Sequence, residues 1–315
     1  VSKGSKSNAQ LSIVNCQLSI SQSRYVGGRI YPERLDDLTW ENDRGIYRMY
    51  GPALERTGEK SFGTDVWVKN TPEPVVEERY RLHSWGWHQG DSLKKAGKPQ
   101  EGNEVFMNAS FHLDHGYGMD VYSVGASLGC GAPALMKDGQ LCFPYCFKEC
   151  KILDNGPIRF TAELTYGTTA DGTTEHRLIT LDKGSHYNKM TVWYDGIAVP
   201  TTLAAGVVLH SNDGLISDKN YILYADPTDN PKVHQSQIYV GTLFPNGVDE
   251  TRQLDGKPRH AIGLVHHYKG APYTYYFGSA WSLYDVPTLV HWRLLAEEYL
   301  NNIQHPLSVQ LNLKK

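Results

Sequence analysis

An all-β sandwich with one late helix is the fold class that this 315-residue sequence predicts, and three observations point there. Apolar and polar residues alternate over 159–166, 176–181 and 187–194, the period of a strand with one buried face. Gly- and Asp-bearing turns at 167–172, 182–185 and 195–196 separate those runs at short intervals, the rhythm of a meander in a sandwich or barrel. Twenty tyrosines and seven tryptophans supply the aromatic bulk that pleated, half-buried surfaces accommodate, and rings with a polar tip also suit sugar binding.

Residues 1–26 stand apart. Gln10-Leu11-Ser12-Ile13 repeats as Gln17-Leu18-Ser19-Ile20 amid Ser, Asn and Gln. That polar composition buries little, so 1–26 reads as an extension and 27–315 as a single sandwich domain. The stretch 31–44 is dense in charge. Within it Glu41, Asn42, Asp43 and Arg44 are either a solvated turn or the polar wall of a pocket, with Asn42 and Arg44 as candidate substrate contacts. Residues 45–52 alternate as a strand that stops at Gly51-Pro52, and 64–69 make a second short strand before the prolines at 72 and 74. The run 75–82 fits a helix or a strand. In 83–91, two tryptophans and two histidines surround Gly86, which reads as a loop. There Trp87 and His88 are candidate sugar contacts, and a core plug is the plainer alternative. Residues 94–104 read as a flexible loop or lid. Further strands are expected at 201–210, 221–225, 237–243, 261–268 and 273–278. Asp285 and Pro287 give a helix start signal, and Leu289, Trp292, Leu295, Tyr299, Leu300 and Ile303 then share one face at helical spacing. Residues 308–313 close the chain as a strand.

Composition narrows the function classes. A formal charge of −3 and a pI near 6.5 give no basic field for nucleic acid. No apolar run approaches the roughly 20 residues of a membrane span. Cys142, Cys146 and Cys150 are spaced by four, wider than the usual zinc pairs, so buried thiols or one disulfide compete with a structural zinc site. The chain starts without methionine and shows no hydrophobic signal core, which leaves a mature exported form as one reading.

The chemistry concentrates in 110–122, which holds His112, Asp114, His115, Tyr117, Asp120 and Tyr122 with Gly116 and Gly118. A backbone turning at the glycines lets His112, Asp114 and Asp120 reach one divalent cation, Ca or Zn, beside His115; a metal-free polar turn is the alternative. Proton chemistry is the second option. His115 as base, Tyr122 as acid, His210 as partner and Arg177 as a bidentate carboxylate clamp are the residue types that β-elimination beside a uronate carboxylate needs. Serine and cysteine hydrolase signatures, phosphate loops and dinucleotide fingerprints are missing. A paired-carboxylate glycosidase remains open through Asp114, Asp120 and Glu163.

Trp40-Glu41-Asn42-Asp43-Arg44, the run 48–54, the run from His112 to Gly131, Asn155-Gly156-Pro157-Ile158-Arg159 and the run 177–185 together resemble a bacterial family long described only as a domain of unknown function. The resemblance implies a large β-sandwich of the supersandwich, galactose-mutarotase-like kind, exported to the periplasm or cell surface of polysaccharide-degrading bacteria. It further implies an oligosaccharide dehydratase that removes water from a terminal uronic acid, as on ulvan, and leaves a 4,5-unsaturated sugar. Tyr117 stands where the family is expected to carry an acidic residue, a departure that bears on substrate or metal preference. The expected partner is therefore a uronic-acid-containing oligosaccharide. The rivals are a polysaccharide lyase, a glycoside hydrolase, and a non-catalytic carbohydrate-binding module.

Overall fold

The computed structural model describes residues 25–227 and 236–308. The extension read at 1–26, except Tyr25 and Val26, and the closing strand read at 308–313, except Ser308, lie outside the described residues. Val26 is already buried in the core.

In chain order the strands are β1 (Gly27–Tyr31), β2 (Asp37–Glu41), β3 (Ile46–Met49), β4 (Asp65–Trp67), β5 (Cys130–Lys137), β6 (Gln140–Cys142), β7 (Phe147–Asn155), β8 (Arg159–Tyr166), β9 (Thr174–Asp182), β10 (Tyr187–Asp195), β11 (Thr201–Leu209), β12 (Leu215–Ser217), β13 (Tyr221–Asp226), β14 (Ile238–Leu243), β15 (Glu250–Leu254), β16 (Arg259–Tyr268) and β17 (Tyr273–Trp281). Helices α1 (Val76–Lys95) and α2 (Pro99–Asn108) lie between β4 and β5, and α3 (Leu289–Gln304) follows β17.

The strands form three antiparallel sheets: an eight-stranded one ordered β12-β13-β14-β17-β10-β9-β8-β7, a five-stranded one ordered β15-β16-β11-β5-β6, and β1-β2-β3-β4. Alternation in β8 and β9 buries every second residue, as a strand with one wet face requires. From Leu203 to Leu209, β11 is buried throughout, because both of its faces are covered. The four-stranded sheet packs on the eight-stranded one through Trp40, which stacks on Phe160 at 6.0 Å and donates its indole N–H to Asn188 at 2.7 Å. Tyr47 closes the same seam by donating to the His186 carbonyl at 2.8 Å. A parallel bridge between Thr64 and Gly129 ties the chain beside β4 to the start of β5, so the smaller sheets sit side by side.

The late helix forms where the spacing places it. Trp292, Ala296 and Leu300 are buried against the eight-stranded sheet, and Trp292 stacks on Tyr187 at 4.8 Å. Its cap is Thr288, which accepts the His291 N–H; Asp285 instead pairs with Arg44 and His186.

The helical hairpin settles the open run 75–82 as helix and corrects two expectations, the loop and the lid. The ambiguous run 75–82, the loop at 83–91 and the lid at 94–104 are α1 and α2 joined by a short turn. Gly86 and Gly90 hide the helix in the sequence, because each lowers helix propensity by about 1 kcal/mol. Their use is close approach: a Cβ at Gly90 would lie 2.5 Å from the Gly102 carbonyl oxygen, and one at Gly86 would lie 2.3 Å from Ala109 Cβ. The hairpin roofs the outer face of the four-stranded sheet, where Ile46, Trp67, Tyr80 and Phe111 pack together.

Candidate functional site

The loop 110–122 leaves α2 and returns along β4. Asp114 Oδ1 accepts the N–H groups of Gly116 (2.8 Å) and Gly118 (2.9 Å), which folds the turn. Gly118 has φ +95° and its Cβ would meet the Val68 carbonyl at 2.1 Å, so only glycine fits. Val68 and Met119 exchange N–H···O bonds at 3.0 Å, and the buried Arg79 donates to the carbonyls of Val68 and Tyr117. The loop is therefore pinned on both sides.

That pinning fixes two imidazoles. His112 Nδ1 lies 2.7 Å from the Asp120 carbonyl oxygen. A carbonyl only accepts, so Nδ1 carries the hydrogen and Nε2 keeps a bare lone pair. The His112 ring is about half exposed, and partial burial lowers its pKa. His83, on α1, stacks on Phe111 at 3.9 Å and accepts the Phe111 N–H at Nδ1, so its Nε2 carries the hydrogen. Burial, with Arg34, His112 and Arg48 nearby, pushes the His83 pKa down to about 4. Both rings are neutral at pH 7; His112 offers an acceptor and His83 a donor.

Beneath them Arg48, on β3, is enclosed by three carboxylates: Asp65 at 2.5 Å, Asp120 at 3.1 Å and Asp37 at 4.0 Å. Burial raises all three carboxyls, Asp37 to about 6 and Asp65 to about 7, with Arg48 pulling the other way. Arg48 Nε and Nη1 and Arg34 Nε have no hydrogen-bond partner among the described residues. Arg34 lies over the Phe111 ring at 5.9 Å, beside the imidazoles. The site thus combines a bare imidazole nitrogen, an imidazole N–H and two guanidinium groups.

A second cluster lies where β11 and β13 end. His210 Nδ1 is 2.7 Å from Oδ2 of Asp226, a fully buried carboxylate. The Tyr122 ring stands perpendicular to His210 at 6.0 Å. Tyr224 Oη accepts the N–H groups of His210 (3.0 Å) and Ser211 (2.8 Å), and Arg259, opposite Leu209, donates to Asn212. The Tyr122 hydroxyl is buried with no partner among the described residues, and burial holds its pKa well above 10, with Asp226 and Asp65 adding to the rise. Tyr122 therefore sits between the two clusters.

The sequence-derived set is partly brought together and partly dispersed. Tyr122 and His210 meet, but the sealed, strongly raised phenol of Tyr122 is poorly placed to give a proton to substrate. His115 turns back on its own loop, Nε2 to the Ser110 carbonyl at 2.9 Å. Arg177 is a correction: it is 1 % exposed, its Nε bonds Glu175 at 2.6 Å and it lies against Tyr166, so it serves the core and cannot clamp a substrate at 110–122. Asn42 spends its amide on the carbonyls of Asp182 and Ser185 and its oxygen on the N–H groups of Arg44 and Gly45, while Arg44 pairs with Asp285; both are fixed in a turn rather than a pocket wall. Trp87 and His88 lie exposed on α1 with their rings 5.1 Å apart, neither in a loop nor in the core. Among the described residues no three His, Cys, Asp or Glu side chains are grouped to hold a metal. The described cysteines are free thiols. Arg34, Arg48 and Asp226 went unread as site residues, and His83 was read only as part of the 83–91 loop. A spacing rule does not pick single arginines out of strands and turns, and Asp226 meets His210 only through the fold.

No described helix is long and apolar enough to cross a membrane. The chain is 26 % identical to "Uncharacterized protein P7" of Formosa agariphila over 324 residues, covering 98 % of this chain and 75 % of that one. Among solved structures it is similar to an active YidC insertase (TM-score 0.46, 8 % identity, 95 % of this chain and 49 % of that one). It is also similar to the GH36 α-galactosidase AgaB of Geobacillus stearothermophilus (TM-score 0.40, 12 % identity, 82 % and 41 %). The family model described as "Domain of unknown function (DUF4861)" matches residues 3–309, and the chain belongs to that family.

Proposed function

We propose that the protein is a carbohydrate-active carbon–oxygen lyase, an oligosaccharide dehydratase that removes water from a terminal uronic acid and leaves a 4,5-unsaturated uronate, with ulvan-type oligosaccharides as the substrate class. The observation that carries the reading is His112, whose Nδ1 is tied to the Asp120 carbonyl and whose bare Nε2 stands beside Arg34 and above Arg48. Arg34 pairs with the substrate carboxylate, and the field of both guanidiniums stabilises the charge that grows there as the C5–H bond breaks. His112 Nε2 takes the C5 proton. The electron pair forms the C4–C5 double bond, the C4–O bond breaks, and the imidazolium returns its proton to the departing hydroxyl, which leaves as water. His83 Nε2–H donates to that hydroxyl as it departs. Such acid–base help is worth about 10²–10⁴-fold. The setting that goes with this chemistry is the periplasm or cell surface of a bacterium that degrades acidic polysaccharide.

One observation favours a second reading. The buried Asp226 orients His210 beside Arg259, which would move the base to the other cluster and suit a lyase expelling a sugar. The test is incubation with a panel of uronate oligosaccharides, followed by mass spectrometry and far-ultraviolet absorbance. A product lighter by one water, lost in His112→Ala and kept in His210→Ala, supports the dehydratase. Two fragments with the opposite mutant pattern support the lyase. Sugar binding without any new chromophore would leave only a binding module.

A further inference from the structure

A cavity of about 330 Å³ opens between the Lys137 end of β5 and the start of β9, lined by Phe62, Phe143, Leu135, Tyr194, Thr173 and Glu175. None of these residues belongs to either cluster above. Its walls are aromatic: Phe62 meets Phe143 edge-on at 5.4 Å and Tyr145 at 4.6 Å. Beside the hydroxyls of Thr169 and Thr173 its buried charged group is Glu175, 3 % exposed, which accepts Arg177 Nε at 2.6 Å on one oxygen and the Tyr194 hydroxyl at 2.6 Å on the other.

Placing an ion pair this deep costs several kcal/mol of desolvation, and an apolar pair of the same volume would often fold as well. A carboxylate has about four acceptor positions. The bonds to Arg177 and Tyr194 leave acceptor capacity on both oxygens of a carboxylate that lines the cavity. An occupant with two adjacent donors would match both oxygens. Arg177 neutralises Glu175, and Lys137 at the rim is paired with Asp171, so the cavity has no net negative field to select an amine. What remains is a neutral ring with an apolar face for Phe62 and Phe143 and two vicinal hydroxyls for Glu175. We infer that this cavity is a second binding site, taking one neutral pyranose ring through a vicinal diol. A phenol offers the face but one donor.

The inference does not depend on the lyase reading, since the site shares no residue with it. Titration calorimetry on the full chain with a series of methyl hexopyranosides tests it, with cyclohexanol and phenol as one-donor controls. Saturable binding is expected for at least one glycoside with a vicinal diol. It should weaken at least tenfold in Phe143→Ala, weaken in Tyr194→Phe, and stay unchanged in His112→Ala. Phe143 is partly exposed, so its removal is not expected to unfold the chain, and circular dichroism checks that. Absence of binding by every glycoside, equal binding in folded Phe143→Ala, or equal binding of phenol would overturn the assignment.

Discussion

Arg48→Met removes the one cation among three buried carboxylates while keeping most of the side-chain volume. Arg48 is 4 % exposed, and Asp37 and Asp65 are at most 1 % exposed. Breaking a buried pair by deleting one partner costs about 3–5 kcal/mol, because the remaining charge is left without compensation. The loss must depend on pH. Burial pushes Asp37 up to about 6 and Asp65 up to about 7 in the folded protein, against about 3.9 unfolded. A carboxyl whose folded pKa is raised contributes stability that is complete below the unfolded value and fades as pH rises through the folded one. Arg48 lowers both carboxyls, so its removal raises them further and extends that fade to higher pH. Near pH 4 the carboxyls are largely protonated in either protein, and the variant lacks mainly packing and hydrogen bonds. At pH 8 wild type has its ionised carboxylates compensated and the variant does not. Urea denaturation at pH 4, 6 and 8 should therefore give a stability gap that widens by roughly 2 kcal/mol or more from the lowest pH to the highest. A gap that stayed constant, or narrowed with rising pH, would refute the electrostatic account of this cluster.

Four other outcomes are expected. His112→Ala should lower kcat/KM for the eliminated substrate by about 10²–10⁴-fold, whereas His115→Ala should change it little, since the guanidiniums of Arg34 and Arg48 bear on His112; steady-state kinetics separates the two. Because burial lowers the His112 pKa, the base stays unprotonated to below its ordinary 6.5, and the acid limb of the kcat/KM profile should fall under that value. Gly90→Ala should lower the melting temperature despite a gain of about 1 kcal/mol in helix propensity, since the new Cβ meets the Gly102 carbonyl at 2.5 Å. Trp292→Ala, at a fully buried ring on α3, should cost about 3–5 kcal/mol in denaturant unfolding.

How far the sequence could be read follows from the range of each interaction. Strands β8, β9 and β10 are written in nearest-neighbour alternation, and α3 in a repeat spanning a few turns, so both were legible. The hairpin was not. Gly86, Gly90 and Gly102 are placed for contact between two helices, and within either helix alone they read as breakers. The stretch 110–122 stands out by its residue types, and the proposed function shifts the base within it from His115 to His112. His112 and His115 each give one ring nitrogen to a backbone carbonyl, of Asp120 and Ser110, and keep the other; His112 is the one on which Arg34 and Arg48 bear. Arg177 illustrates the opposite error. Its alternation on β9 marks an inward side chain, and the pairing with Glu175 two residues earlier on the same face is what places it in the core.

The mutual backbone bonds of Val68 and Met119 have a consequence for how this protein can change. Everything between those two residues, both helices and most of the histidine-bearing turn included, departs and re-enters at adjacent points of the same strand edge. In the backbone ladder the whole excursion counts as one rung, although its helices pack on the four-stranded sheet. It can be lengthened, shortened or exchanged with no re-registration of a strand, and half of the reactive groups would travel with it while Arg34 and Arg48 stayed behind. Under the proposed function, grafting this segment between relatives would exchange both imidazoles on an unaltered frame.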